Sequence, residues 1–123
     1  MLFRSRLRVA GDNNLTRVVA IFQPHRYSRT QTFLQEFANS LQDADAIVIT
    51  DIYSAGETNA FGISGSDLAT KIASDRDNVY YHAAVDSIAY FLQQKILQPG
   101  DLAIFLGAGN LNQIIPQTIE LYR

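Results

Sequence analysis

The sequence predicts a three-layer α/β/α sandwich on a mainly parallel sheet, and three observations carry that prediction. Short apolar runs rich in β-branched residues recur at Val18–Phe22, Ala46–Ile49, Val79–Tyr81 and Leu102–Leu106. The first, second and fourth are almost continuously hydrophobic, as strands covered on both faces are. Segments with helical spacing lie between and after the runs. A β-α-β-α-β-α-β-α order joined by right-handed crossovers places helices on both faces of one sheet.

Each element has its own reason. Over residues 1–15, Phe3, Leu7 and Ala10 permit a helix, whereas the alternation of Arg4, Arg6 and Arg8 permits a strand. This segment is therefore set apart from a single domain spanning 16–123, and 11–14 (Gly-Asp-Asn-Asn) reads as a loop. Phe33, Phe37 and Leu41, with Leu34 and Ala38 beside them, give residues 30–41 one apolar helical face. Leu68, Ile72 and Ala73 mark a shorter helix behind Ser66. Ile88, Phe91, Leu92 and Ile96 repeat the pattern after Asp86, a candidate N-cap. The stretch Gln98-Pro99-Gly100-Asp101 is a turn feeding the last strand. Leu111, Ile114, Ile115, Ile119 and Tyr122 mark the final helix, which Pro116 must either delay or bend.

Composition narrows the function. The chain has 123 residues, 47% of them hydrophobic and 18% charged, with a net charge of −2. That is an ordinary globular domain with one core. Mild acidity argues against a general nucleic-acid binder. No apolar run is long enough to cross a bilayer, and no unbroken apolar stretch follows the N-terminal arginines as a secretory signal requires. With no cysteine, thiol nucleophiles and cysteine–zinc sites are excluded, and a reducing cytoplasmic location is expected. There is no Gly-x-x-x-x-Gly-Lys-[Ser/Thr] loop for a nucleotide triphosphate and no Gly-x-Ser-x-Gly elbow for hydrolysis. His25 and His82 are too isolated to suggest a transition-metal site. His82 reads as a structural residue.

Ligands of an open parallel sheet bind beyond the carboxyl ends of its strands. Three segments occupy such positions: Gln23-Pro24-His25-Arg26-Tyr27-Ser28-Arg29-Thr30, Asp51-Ile52-Tyr53-Ser54-Ala55-Gly56-Glu57, and Gly107-Ala108-Gly109-Asn110. In the first, Arg26 and Arg29 lie three apart at a helix start, a pattern suited to two-pronged binding of a carboxylate or phosphate with help from helix amides. His25 stands beside them as a polar or proton-accepting neighbour. The same pair also fits two solvated arginines and a turn-capping histidine. In the second, Asp51 and Glu57 suit a substrate ammonium or a magnesium-bound nucleotide, although Asp at a strand end is also routine turn chemistry. In the third, Gly107 and Gly109 allow close backbone approach, a weak signal alone.

Residues 22–30 (Phe-Gln-Pro-His-Arg-Tyr-Ser-Arg-Thr) resemble a signature of the Mur ligase family, in its branch that joins L-alanine to UDP-N-acetylmuramate. The segment Asp51 to Glu57 resembles that family's tyrosine–alanine–glycine–glutamate loop, and Gly107-Ala108-Gly109-Asn110-Leu111 its Gly-Ala-Gly-Asn/Asp turn. The three follow family order over 17–123, and the nine-residue element is the specific one. The resemblance implies a Rossmann-like C-terminal domain of a cytoplasmic ligase of peptidoglycan biosynthesis, serving cell shape and division. In such enzymes ATP and magnesium are held mainly by other domains, and none is expected tightly bound here. The muramoyl carboxylate is activated as an acyl phosphate that the alanine amine attacks. The resemblance assigns Arg26 and Arg29 to the alanine carboxylate with His25 beside them. Tyr53, Glu57, Gly107, Ala108, Gly109 and Asn110 then shape the pocket, and none of these residues is a catalyst or a metal ligand.

The family's Asp-Asp-Tyr-x-His-His-Pro motif does not precede the first long strand, and residues 1–14 match no family element. The expectation is therefore a domain inactive by itself. Two other classes stay open: a freestanding binder of amino acids or small anions, and a ligase-derived interaction domain.

Overall fold

The computed structural model describes residues 3–8, 17–107 and 110–122. Five strands, β1 (Phe3–Arg8), β2 (Val18–Phe22), β3 (Ala46–Ile49), β4 (Val79–Tyr81) and β5 (Leu102–Gly107), form one sheet in the order β1-β5-β2-β3-β4. The pairs β5–β2, β2–β3 and β3–β4 are parallel, while β1 lies antiparallel along β5, with Phe3 opposite Gly107 and Arg8 opposite Leu102. The sheet is thus mainly parallel, and the N-terminal segment supplies an edge strand, one of its two sequence options.

The apolar continuity of β2 has a direct structural cause. Val19 and Ile21 enter a core with Val48, Ala103, Phe105 and the helix residues Ile88, Leu92 and Ile114. Ala20 and Phe22 enter the opposite core with Ile47, Ile49, Ala38, Leu68 and Ile72. Both faces of the strand exclude water, so alternation is erased. Helix α1 (Tyr27–Thr32) leads into α2 (Leu34–Ser40), which with α3 (Gly65–Ala73) belongs to the second layer, and α4 (Ile88–Phe91) and α5 (Ile114–Leu121) belong to the first.

Three boundaries differ from the sequence reading, and at a fourth, the last helix, the late start is the option the structure takes. The helix expected over 30–41 begins at Tyr27 and is broken at Phe33 into α1 and α2. The Thr30 hydroxyl bonds back to the Arg26 carbonyl at 2.8 Å, a contact that loosens helical turns. Helix α3 starts at Gly65, so Ser66 lies inside it, and the N-cap is Ser64, whose N–H donates to the Asp67 carboxylate at 2.8 Å. Asp86 falls in a 3-10 turn (Val85–Ser87) that delays α4 to Ile88, and α4 continues as a π-helical turn over Leu92–Ile96. Helix α5 follows a 3-10 turn at Asn110–Gln113, which puts Pro116 third in the helix, where its missing N–H would have no intrahelical acceptor.

Candidate functional site

Beyond the carboxyl ends of β2 and β3 the two chains pair again. Thr50 N–H donates to the Phe22 carbonyl at 3.0 Å, Tyr53 N–H to Pro24 at 2.9 Å and Arg26 N–H to Tyr53 at 2.7 Å. This isolated parallel bridge between His25 and Tyr53 holds the first two candidate segments side by side. Their rings stack with centroids 5.7 Å apart and 10° between planes. His25 is half-buried, and its Nδ1 is enclosed without a hydrogen-bond partner among the described residues. Burial, then the positive charges of Arg26 and Arg29, push its pKa down, so the imidazole is held neutral.

Arg26 has φ 71° and ψ 140° as the residue before α1, and Arg29 follows three positions later within it. Both are exposed, and neither forms an ion pair among the described residues, where the ion pair is Arg17–Asp101. Two guanidinium groups with no ion-pair partner among the described residues stand beyond the carboxyl end of β2, and Arg26 is close enough for its charge to act on Glu57.

The third element of this corner is Glu57. Its carboxylate accepts the Ser28 N–H at 3.0 Å and the Ser28 hydroxyl at 2.5 Å. These bonds hold its carboxyl below the usual glutamate range. They also correct one expectation: the first-turn amide of α1 at Ser28 is taken by Glu57 and is not free to meet an anion. Asp51 is likewise engaged. One of its oxygens accepts Ile52 N–H at 3.2 Å and Gly65 N–H at 3.1 Å, and Tyr81, whose pKa burial and then Asp51 push up, bonds it as well. No group of three or more His, Asp or Glu side chains among the described residues is arranged to hold a metal ion. Both nearby carboxylates are thus engaged within the domain, Glu57 through both oxygens and Asp51 with two backbone amides on one.

Gly107 ends β5 and is buried, Ala108 and Gly109 lie outside the described residues, and Asn110 opens the 3-10 turn before α5. The link from this loop to the arginine segment is Gln23, which sequence reasoning passed over. It is 2% exposed, donates from Nε2 to Asn110 Oδ1 at 2.7 Å and accepts Leu111 N–H on Oε1 at 3.2 Å. The available signal was a glutamine directly after an all-apolar strand, where a buried amide must find partners. His82 behaves as read, bonded through Nε2 to the Ser87 hydroxyl at 2.7 Å and stacked on Phe91 at 4.4 Å.

No family model matches the chain. Curated relatives do. It is 59% identical over 116 residues to a UDP-N-acetylmuramate–L-alanine ligase of Gloeothece citriformis, covering 94% of this chain and 23% of that protein. A ligase of the same name from Microcystis aeruginosa is 52% identical over 122 residues, 99% of this chain and 25% of its own. One from Nostoc sp. is 60% identical over 103 residues, 84% and 21% respectively. The chain is homologous to the C-terminal part of the UDP-N-acetylmuramate–L-alanine ligases. It spans about a quarter of the length of these relatives. Its specific nine-residue motif and its corner of arginine, stacked histidine–tyrosine and braced glutamate thus belong to a ligase-related domain. Among the described residues no helix is long and apolar enough to cross a membrane.

Proposed function

We propose that this domain positions L-alanine in a ligase that joins it to UDP-N-acetylmuramate in peptidoglycan synthesis, with Arg26 and Arg29 clamping the alanine carboxylate. The observation that carries the reading is the pair of exposed guanidinium groups beyond the carboxyl end of β2 that form no ion pair among the described residues. His25 and Tyr53 form a rigid wall beside them, and its neutral imidazole adds no further positive charge. Glu57 holds the arginine segment through Ser28, and Gly107 and Asn110 stand where β5 passes into the turn before α5. ATP and magnesium would be bound by the part of the ligase outside this chain. A domain that holds only the amino acid contributes orientation and carboxylate binding, so the isolated chain is inactive, and its residence in the cytoplasm follows from that role.

The test exchanges the matched stretch of the Gloeothece citriformis ligase for this chain and measures alanine-dependent ATP hydrolysis. Each of Arg26→Ala and Arg29→Ala should raise the alanine KM about ten-fold or more, the loss of a charged hydrogen bond. An alanine KM unmoved in both variants would overturn the clamp. Alanine-dependent ATP hydrolysis by the purified 123-residue chain alone would overturn its inactivity.

A further inference from the structure

We infer that Gln23 is a positioning residue that fixes the hydrogen-bonding polarity of the loop after β5, so that Asn110 offers donors, not acceptors, to the ligand. The inference rests on the amino-acid reading above and adds to it the sign of the third wall.

The argument starts from a group whose polarity cannot be reversed. A backbone N–H only donates. The Leu111 N–H meets the Gln23 side chain at 3.2 Å, so the atom it meets must be the carbonyl oxygen. The other branch of that planar amide is then the NH2 group, which lies 2.7 Å from the Asn110 side chain. A donor there requires Asn110 to present Oδ1, which leaves its Nδ2 on the opposite branch. Amide orientations are normally open to exchange of oxygen and nitrogen. Here one backbone N–H propagates through two amides and removes that freedom.

Burial makes the arrangement rigid. Gln23 is 2% exposed, and its own N–H donates to the Leu106 carbonyl at 2.9 Å, continuing the ladder between β2 and β5. Flipping either amide would leave a buried donor facing a donor, at a cost of about 1–3 kcal/mol. The Nδ2 branch of Asn110 is the one that Gln23 does not engage. A donor at this position complements a carboxylate or other anionic oxygen, the class of group that Arg26 and Arg29 bind from the neighbouring loop. It gives no match to an ammonium, which needs acceptors. The amino acid is thereby oriented, with its carboxylate toward Arg26, Arg29 and Asn110 and its amine turned away from the loop after β5.

The experiment uses the 123-residue chain labelled with 15N, read by the Asn110 side-chain amide resonances and by titration with L-alanine. In Gln23→Glu the carboxylate still accepts Leu111 N–H but can no longer donate, so Asn110 turns its NH2 inward and its oxygen outward. The Asn110 amide protons should move strongly downfield, and the apparent Kd for L-alanine should rise about ten-fold or more. Gln23→Met, which keeps the volume and buries no charge, should leave Asn110 averaging between orientations, with broadened amide signals and a smaller rise in Kd. Unchanged Asn110 resonances in both variants would overturn the polarity assignment. Changed resonances with an unchanged alanine Kd would overturn the placement of Asn110 against the ligand. A wild-type chain that gives no response to L-alanine while its Asn110 resonances shift in the variants would sink the amino-acid reading and leave the fixed polarity standing.

Discussion

At the scale of single residues, Arg26 combines a functional side chain with an unfavourable backbone. Its φ of 71° with ψ 140° lies in a region that residues with a Cβ rarely occupy, at a cost of about 1–3 kcal/mol. The Arg26 N–H to Tyr53 bond at 2.7 Å helps to hold it there. Arg26→Gly relieves the strain and adds about 0.5–1 kcal/mol of chain entropy cost. The net expectation is a gain of about 1 kcal/mol in urea unfolding, together with loss of the clamp. Arg26→Ala keeps the Cβ and should show no such gain; equal stability of the two variants would remove strain from the account. Charge at this corner sets a pH response as well. The Glu57 carboxyl titrates lower in the fold than in the open chain, so its contribution is present at neutral pH and is lost as pH falls from about 4.3 through the folded value. The depressed His25 pKa acts with the same sign from about pH 6.5 downward, since the fold resists its protonation. Glu57→Gln should therefore flatten the lower limb of a plot of Tm against pH and leave the upper one. A lower limb of unchanged depth would assign the acid response to other carboxylates.

At the scale of elements, the runs that became β2 and β3 were legible because a strand with two covered faces needs apolar side chains at every position. The helix starts were less legible because they depend on hydrogen bonds to distant residues. Helix α3 begins where Asp51, fourteen positions earlier, accepts the Gly65 N–H. The choice of Gly at 65 has a spatial reason too: an added Cβ would collide with the Thr50 carbonyl. That contact arises only after β3 and α3 have docked, so no local pattern announces it. Gly65→Ala should thus cost about 1–3 kcal/mol by overpacking, despite the better helix propensity of Ala. Urea unfolding decides between the two effects, and a stabilised variant would mean that the Thr50–Asp51 backbone yields easily. The same dependence on distant partners explains why Asp51 and Glu57 looked like ligand carboxylates in the sequence. Their donors, Gly65 and Ser28, lie fourteen and twenty-nine positions away.

At the scale of the whole molecule, the sheet separates its functions between its two ends. The carboxyl ends of β2 and β3 carry the arginine corner, whereas their amino ends are fastened by polar contacts that touch no candidate ligand. Arg17 donates from Nε and Nη2 to the two Asp101 oxygens at 3.0 and 2.7 Å, and from Nη2 to the Ile96 carbonyl at 2.7 Å. This clamps the entry of β2 to the turn before β5. The two partners are not equivalent. Asp101 is 3% exposed, and the Arg17 side chain is 32% exposed. Arg17→Met strands a buried carboxylate that keeps the Gln98 N–H at 2.8 Å but loses its cation, and should cost about 3 kcal/mol. Asp101→Asn leaves a cation that can turn to water while the new amide retains the Gln98 bond, so its cost should be nearer 1 kcal/mol. Under conditions where each variant is still folded, both should retain the wild-type response to L-alanine, because the site lies at the opposite end of the strands. Urea unfolding with a parallel alanine titration checks the pair. Equal costs would show that the ion pair is governed by Coulomb attraction rather than by the unequal desolvation of its members. A weakened alanine response in either variant would show that the two ends of the sheet are coupled through β2.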